Sequence, residues 1–179
     1  RKVIQGKKYI NEVYFNGKYA YIACGFGIVV FDTEKLEVKD TYYLGNATTN
    51  LEVYQVTKND SAFFAATSSG VFYGKITDNL SYYQNWKSLN SGLQPGPYNA
   101  IVSFGNKIIT NFSKNIKDGS QMQDVIYQFD GNAWSLYPYK SNSTNKRFLD
   151  FSAQGKLLIT DQWGLQDYDV NGVMYNYIT

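Results

Sequence analysis

Four aspartates, Asp150, Asp161, Asp167 and Asp169, gather near the carboxyl end of the chain. Paired carboxylates are the machinery of glycoside hydrolysis. Two features assign them to structure instead. Asp167 and Asp169 flank Tyr168 within a strand-like run, and Asp169 holds the same place in a sequence repeat as Asp32. An aspartate recurring at a strand end caps a turn through neighbouring backbone N–H groups. The chain contains no histidine, which removes the commonest general base and the commonest transition-metal ligand. Nucleophilic hydrolysis would then need a Ser–Lys or carboxylate arrangement. The segment "NIKDGSQMQD" offers Asp118, Ser120 and Asp124, but without the alternating spacing of a calcium loop, and it reads as a solvated insertion. The lone Cys24, in "YIACGFG", has no partner for an internal disulfide and reads as a small buried hydrophobe. No catalytic residue, metal or cofactor is expected.

The stretch "GFGIVVFD", Gly25 to Asp32, has the glycines of a phosphate loop. Such a loop must open a helix, whereas "IVVFD" is short and β-branched. Gly27 is therefore expected to turn one strand into the next, supplying positive φ. Asn-x-Ser/Thr triplets at Asn46, Asn59, Asn79, Asn111 and Asn142 carry meaning only in a eukaryotic secreted chain.

The elements that position these residues follow from a repeat. "NGKYAYIACGFGIVVFDTEK", "KNDSAFFAATSSGVFYGKITDN" and "AQGKLLITDQWGLQDYDVNG" each run polar turn, apolar strand, glycine turn, apolar strand, polar turn. A third copy in chain order, "FGNKIITNFS" then "VIYQFDGN", is split by the insertion. Gly27 and Gly70 are 43 residues apart. Asp124 takes the glycine position 54 residues later, and Gly164 follows after 40 more. A strand precedes each hairpin ("YINEVYF", "LEVYQVT", "YNAIVSF", "RFLDFSA") and another follows ("EVKDTYYL", "LSYYQNW", "AWSLYPY", "VMYNYIT"). Four strands in a period of about 43 residues is the spacing of a β-propeller blade. The expected fold is all-β: four four-stranded antiparallel blades at 9–44, 51–89, 98–139 and 147–178. Residues 1–6 read as a remnant strand of a preceding blade. This favours an open arc cut from a larger propeller, with a closed four-blade ring as the alternative. The end faces of such an arc would be apolar, given "YAYIAC" and "KLLIT".

Composition agrees. Aromatic residues make up 17% of the 179, with 17 tyrosines and only three prolines, a strand-favouring mixture. Seventeen Lys and Arg against 15 Asp and Glu leave no basic field for a nucleic-acid partner. No apolar run approaches the ~20 residues of a membrane span. The sequence starts at Arg1 without a Met or a signal-like stretch, so a removed leader or a longer parent protein is expected.

The pattern "NGKYAYIACGFGIVVFD", echoed by "QGKLLITDQWGLQDYD", resembles the two-component-regulator propeller repeats of Bacteroidota. The whole opening, "YINEVYFNGKYAYIACGFGIVVFDTEKLEVKDTYYLG", more closely resembles the N-terminal propeller of PorZ-type proteins of the type IX secretion system. That resemblance implies a non-catalytic interaction module in the periplasm or on the outer cell surface. PorZ-type proteins are linked to anionic lipopolysaccharide delivery and a partner sortase. The tryptophan common in the second strand of the regulator repeat is missing here. The alternatives are a periplasmic ligand-sensing propeller of a hybrid two-component regulator, or a fragment of a propeller lyase or glycosidase. Partners expected on this basis are the remainder of the propeller or another copy of the chain, with a glycan, lipopolysaccharide or protein as ligand.

In a propeller the second-to-third-strand turns share one face with the loops between blades. That face would carry Tyr9, Phe26, Asn50, Tyr98, Arg147, Asp161 and Trp163. Aromatic rings on turns either stack on a ligand or pack into gaps between blades. For Phe26 and Trp163 both readings are open.

Overall fold

In the computed structural model, residues 7–46, 50–113, 124–139, 148–151, 155–160 and 164–178 are described. They contain no α-helix and form four separate four-stranded antiparallel sheets, each ordered as its strands occur along the chain. The first sheet comprises β1 (Ile10–Asn16), β2 (Tyr19–Cys24), β3 (Gly27–Asp32) and β4 (Glu37–Tyr42). The second comprises β5 (Val53–Lys58), β6 (Ala62–Thr67), β7 (Gly70–Lys75) and β8 (Lys87–Ser88). The third comprises β9 (Tyr98–Phe104), β10 (Lys107–Phe112), β11 (Val125–Phe129) and β12 (Trp134–Leu136). The fourth comprises β13 (Phe148–Phe151), β14 (Leu157–Thr160), β15 (Leu165–Tyr168) and β16 (Met174–Ile178). Meanders of this kind need only tight turns, and Asn16-Gly17, Asp130-Gly131 and Asn171-Gly172 supply them.

The chain divides into two compact units, Arg1–Leu89 and Asn90–Thr179, each holding two sheets. In the first unit, one face of the first sheet brings Tyr21, Ala23, Ile28 and Val30 against Val53, Val56, Phe63 and Ala65 of the second. Tyr21 and Phe63 meet with ring centroids 4.7 Å apart. In the second unit, Ala100, Val102, Ile109 and Ile126 of the third sheet share a core with Leu157, Ile159 and Tyr168 of the fourth. Tyr137 donates its hydroxyl to the carbonyl of Asp169 at 2.6 Å, tying the third sheet to the turn before β16.

One expected strand is absent. "LSYYQNW", Leu80 to Trp86, is a loop with a single 3-10 turn at Tyr83–Asn85, and the outer strand shrinks to β8. The reason is local. Leu80 and Trp86 both turn inward, and the Trp86 indole N–H donates to the Leu80 carbonyl at 3.0 Å. Gly74 of β7 makes room, since a Cβ there would stand 2.5 Å from Leu80 Cδ2.

The end faces differ from expectation too. Register places Val13, Ile22 and Val29 on one face of the first sheet together with Phe15, Ala20, Phe31 and Val38. This is the face turned away from the core, and Phe15 is 68% and Val38 60% exposed. It is apolar as predicted. On the corresponding face of the fourth sheet, Asp150, Leu158, Asp167 and Asn176 lie in one row, so that face is mixed. Residues 1–6, read from sequence as a remnant strand, lie outside the described residues.

Candidate ligand-binding face

Both glycines around Phe26 are explained by packing. Gly27 has φ +138°, and a Cβ on it would lie 2.3 Å from the Tyr42 carbonyl oxygen. Gly25 lies under the chain entering β1: a Cβ there would meet the Lys7 carbonyl oxygen at 2.3 Å, and its N–H donates to the Tyr9 carbonyl at 3.2 Å. The turn runs straight into β3, so no helix terminus is available to an anion. Phe26 itself is buried.

Tyr9 lies beside this turn and is 40% exposed. Its hydroxyl donates to Glu52 Oε1 at 2.5 Å, and the Lys7 ammonium stands 5.9 Å from its ring centroid. Two further polar residues continue the seam: Asn11 Nδ2 donates to the Val53 carbonyl at 2.7 Å, and Glu12 Oε2 accepts the Val56 N–H at 2.8 Å. These ties between β1 and β5 were not anticipated. Their signal was the polar pair "NE" inside the apolar run "YINEVYF".

Tyr98 is fully buried, its ring edge-on to Phe112 at 5.4 Å and 6.3 Å from Tyr127. Its hydroxyl donates to the Gln94 carbonyl at 2.9 Å, and burial raises its pKa well above the phenol value. Tyr98 is thus a core residue at the start of β9. Asn50 forms an isolated bridge with Gly45. Arg147, Asp161 and Trp163 lie outside the described residues, as do Asp118 and Ser120 of the insertion. Asp124, at the glycine position of the third repeat, is buried.

The carboxylates serve the turns. Asp32 Oδ1 accepts the N–H groups of Lys35 and Glu34 at 3.0 and 3.1 Å. Asp130 Oδ1 accepts those of Ala133 and Asn132, and Asp169 Oδ1 those of Val173 and Asn171. These backbone donors hold all three carboxyls below their ordinary pKa. Asp167 accepts both the backbone N–H and the side-chain amide of Asn176, at 2.6 and 2.8 Å. Asp150 is exposed on β13. Cys24 is buried, its thiol donating weakly to the Ile22 carbonyl, and burial raises its pKa. Among the described residues, no group of His, Cys, Asp and Glu side chains could hold a metal ion.

Comparison with known proteins agrees with this geometry. No curated protein matches the chain by sequence. Its fold resembles PorZ, an essential bacterial surface component of the type IX secretion system of Porphyromonas gingivalis, with TM-score 0.68 and 24% identity over 92% of this chain. The chain spans 20% of that PorZ chain. The extracellular domain of a hybrid two-component system from B. thetaiotaomicron is similar, with TM-score 0.66 and 14% identity, over 93% of this chain and 23% of that one. So is an ancestral GH74 enzyme, with TM-score 0.61 and 16% identity, over 95% of this chain and 24% of that one. The four sheets are propeller blades, and residues 1–87 match the family of PorZ N-terminal β-propeller domains.

Proposed function

We propose that the chain is part of a non-catalytic binding module, a stretch of PorZ-type propeller that works at the cell envelope beside the type IX secretion machinery. The observation that carries this reading is the match of residues 1–87 to the PorZ N-terminal propeller. The turn-capping roles of Asp32, Asp130 and Asp169 support it by engaging carboxylates that catalysis would need free. Among the described residues no helix is long and apolar enough to cross a membrane. A periplasmic or outer-surface location is part of the proposal. Ligand contacts are assigned to Tyr9, and by sequence position to Arg147, Asp161 and Trp163. The apolar outer face of the first sheet is assigned to another blade of the parent propeller.

The test is a bacterial glycan array that includes anionic lipopolysaccharide, with a parallel assay for reducing sugar. Retention of an anionic polysaccharide, weakened by Trp163→Ala and without sugar release, is expected. Sugar release that disappears in Asp161→Asn or Asp169→Asn would replace this reading with the glycosidase one. The likeness to the extracellular domain of a hybrid two-component system favours a second reading, a sensor propeller. Binding of short oligosaccharides in preference to the polymer would select it.

A further inference from the structure

The two sheets of each unit meet in the same sense. In the first unit, Tyr21 and Ala23 of β2 share a core with Val56, Phe63 and Ala65 of the second sheet. In the second unit, Ile109 of β10 shares one with Leu157 and Ile159 of β14. Phe63 and Ala65 stand seven and five residues before the hairpin glycine Gly70, and Leu157 and Ile159 hold those places before Gly164. In the first sheet the same two places, before Gly27, belong to Ala20 and Ile22. Val13 pairs with Ile22 as Val56 pairs with Ala65. The outer face of the first sheet thus repeats, position for position, the face with which the second and fourth sheets receive a blade. What fits it is the opposite, presenting face of another blade. The described sheets have no such face to spare for a second copy of the chain. Tyr21, Ala23 and Ile109 are already in cores, Phe64 and Ala66 are buried, and the presenting face of the fourth sheet is interrupted by Asp150 and Asp167.

At the rim of that face, two residues ahead of Val38, Leu36 sits in the turn between β3 and β4 with φ +55°. Among the described residues it is the one non-glycine residue with positive φ, and glycine takes such places in the turns at Gly17, Gly131 and Gly172. It is also 75% exposed, more than Phe15 or Val38. A leucine here is unfavourable twice over, through its left-handed backbone and through apolar surface left wet. Strain that persists at an exposed turn points to a use for the side chain. We propose that Leu36 is a docking residue for a further blade of the parent propeller, one whose apolar presenting face covers Phe15, Val38 and Leu36 together. The left-handed turn holds the Leu36 side chain out to that blade. The proposal rests on the reading of the chain as a stretch of PorZ-type propeller. This chain spans 20% of the PorZ chain it resembles, so a protein of that size has ample length to supply the blade.

The test compares this chain of 179 residues with a longer PorZ-type protein that contains it. In the short chain Leu36→Gly should raise the melting temperature by about 2 °C, because relief of the left-handed backbone outweighs the added freedom of the unfolded chain. In the longer protein the same change should lower it, because a covered side chain is lost. Leu36→Cys supplies a direct readout, since Cys24 is buried. Iodoacetamide should alkylate position 36 readily in the short chain and at least about tenfold more slowly in the longer protein. Equal labelling in both, or stabilisation by Leu36→Gly in both, would overturn the proposal. Phe15→Lys with Val38→Lys then separates the two levels. If that pair still destabilises the longer protein, a blade covers the face and the role of Leu36 alone fails. If it does not, the propeller reading of that face fails with it. Protection of position 36 that appears in the short chain as its concentration is raised would put a second copy there and equally overturn the proposal.

Discussion

Replacing Gly27 by alanine should be far more damaging than the same change at Gly17, although both glycines have positive φ and sit in hairpin turns of one sheet. Gly17 has φ +59° and nothing within 4 Å of an added Cβ. Gly17→Ala therefore costs only the left-handed penalty, about 1–2 kcal/mol. Gly27 has φ +138°, where side-chain-bearing residues are rarely found, and its Cβ would sit 2.3 Å from the Tyr42 oxygen and 3.3 Å from the Tyr42 carbonyl carbon. Those atoms are main chain, and Tyr42 is paired with Ile28 across the β3–β4 ladder, so they cannot rotate aside. Backbone strain of about 1–3 kcal/mol then adds to the separation of β4 from β3, for a total of about 4 kcal/mol or more. The unfolded chain stiffens equally in both variants, by about 0.4–1 kcal/mol, so this contribution cancels in the comparison. Equilibrium urea unfolding followed by circular dichroism measures both. Costs within about 0.5 kcal/mol of each other would refute the argument from close approach.

Trp86→Phe keeps the ring in the first unit's core but strands the Leu80 carbonyl, and urea unfolding should show a loss of about 1–3 kcal/mol. Asp130→Ala should lower stability at neutral pH. The Asp130 carboxyl is held below its ordinary pKa in the fold, so its contribution is present above the unfolded carboxylate value of about 4 and is lost as pH falls through the folded value. The gap between variant and parent should therefore close on acidification, as a pH series of thermal melts would reveal. Phe15→Lys with Val38→Lys should leave the melting temperature of this chain nearly unchanged, because both side chains are exposed in it. The same pair should destabilise a longer PorZ-type protein in which another blade covers that face.

The fold was legible because its signals are local. Apolar runs between Asn-Gly, Asp-Gly and single-glycine turns specify strands and hairpins without reference to distant residues, and Asp32 and Asp169 cap turns as their repeat position implied. The failed strand at Leu80–Trp86 shows the limit. Its tyrosines and tryptophan have strand propensity, but two inward anchors over Gly74 decide for a loop. The face residues were less legible still. Sequence places Phe26 and Tyr98 on turns and strand ends, but whether a ring there meets water depends on the chain lying over it. Nothing in "GFG" announces that Lys7 to Tyr9 closes over Gly25, and nothing near Tyr98 announces Phe112 and Tyr127.

The two faces of the first sheet carry similar residues and meet different fates. Along β1, Glu12 and Tyr14 lie on the packed face, where Glu12 reaches the Val56 N–H, while Val13 and Phe15 lie on the other. A sheet meant to face water on one side alternates apolar with polar residues. Here the outer face instead stacks Val13, Ile22 and Val29 beside Phe15, Phe31 and Val38. This is the composition of strands covered on both faces. At ~25 cal/mol per Å², several hundred Å² left wet forfeits several kcal/mol, enough to matter against the whole stability of a domain. The fourth sheet is mixed instead. Its outer face puts Asp150, Leu158, Asp167 and Asn176 in one row, with Asp167 and Asn176 satisfying each other, beside Thr160, Leu165 and Ile178 in the next. The first sheet is therefore built to receive a neighbour face to face.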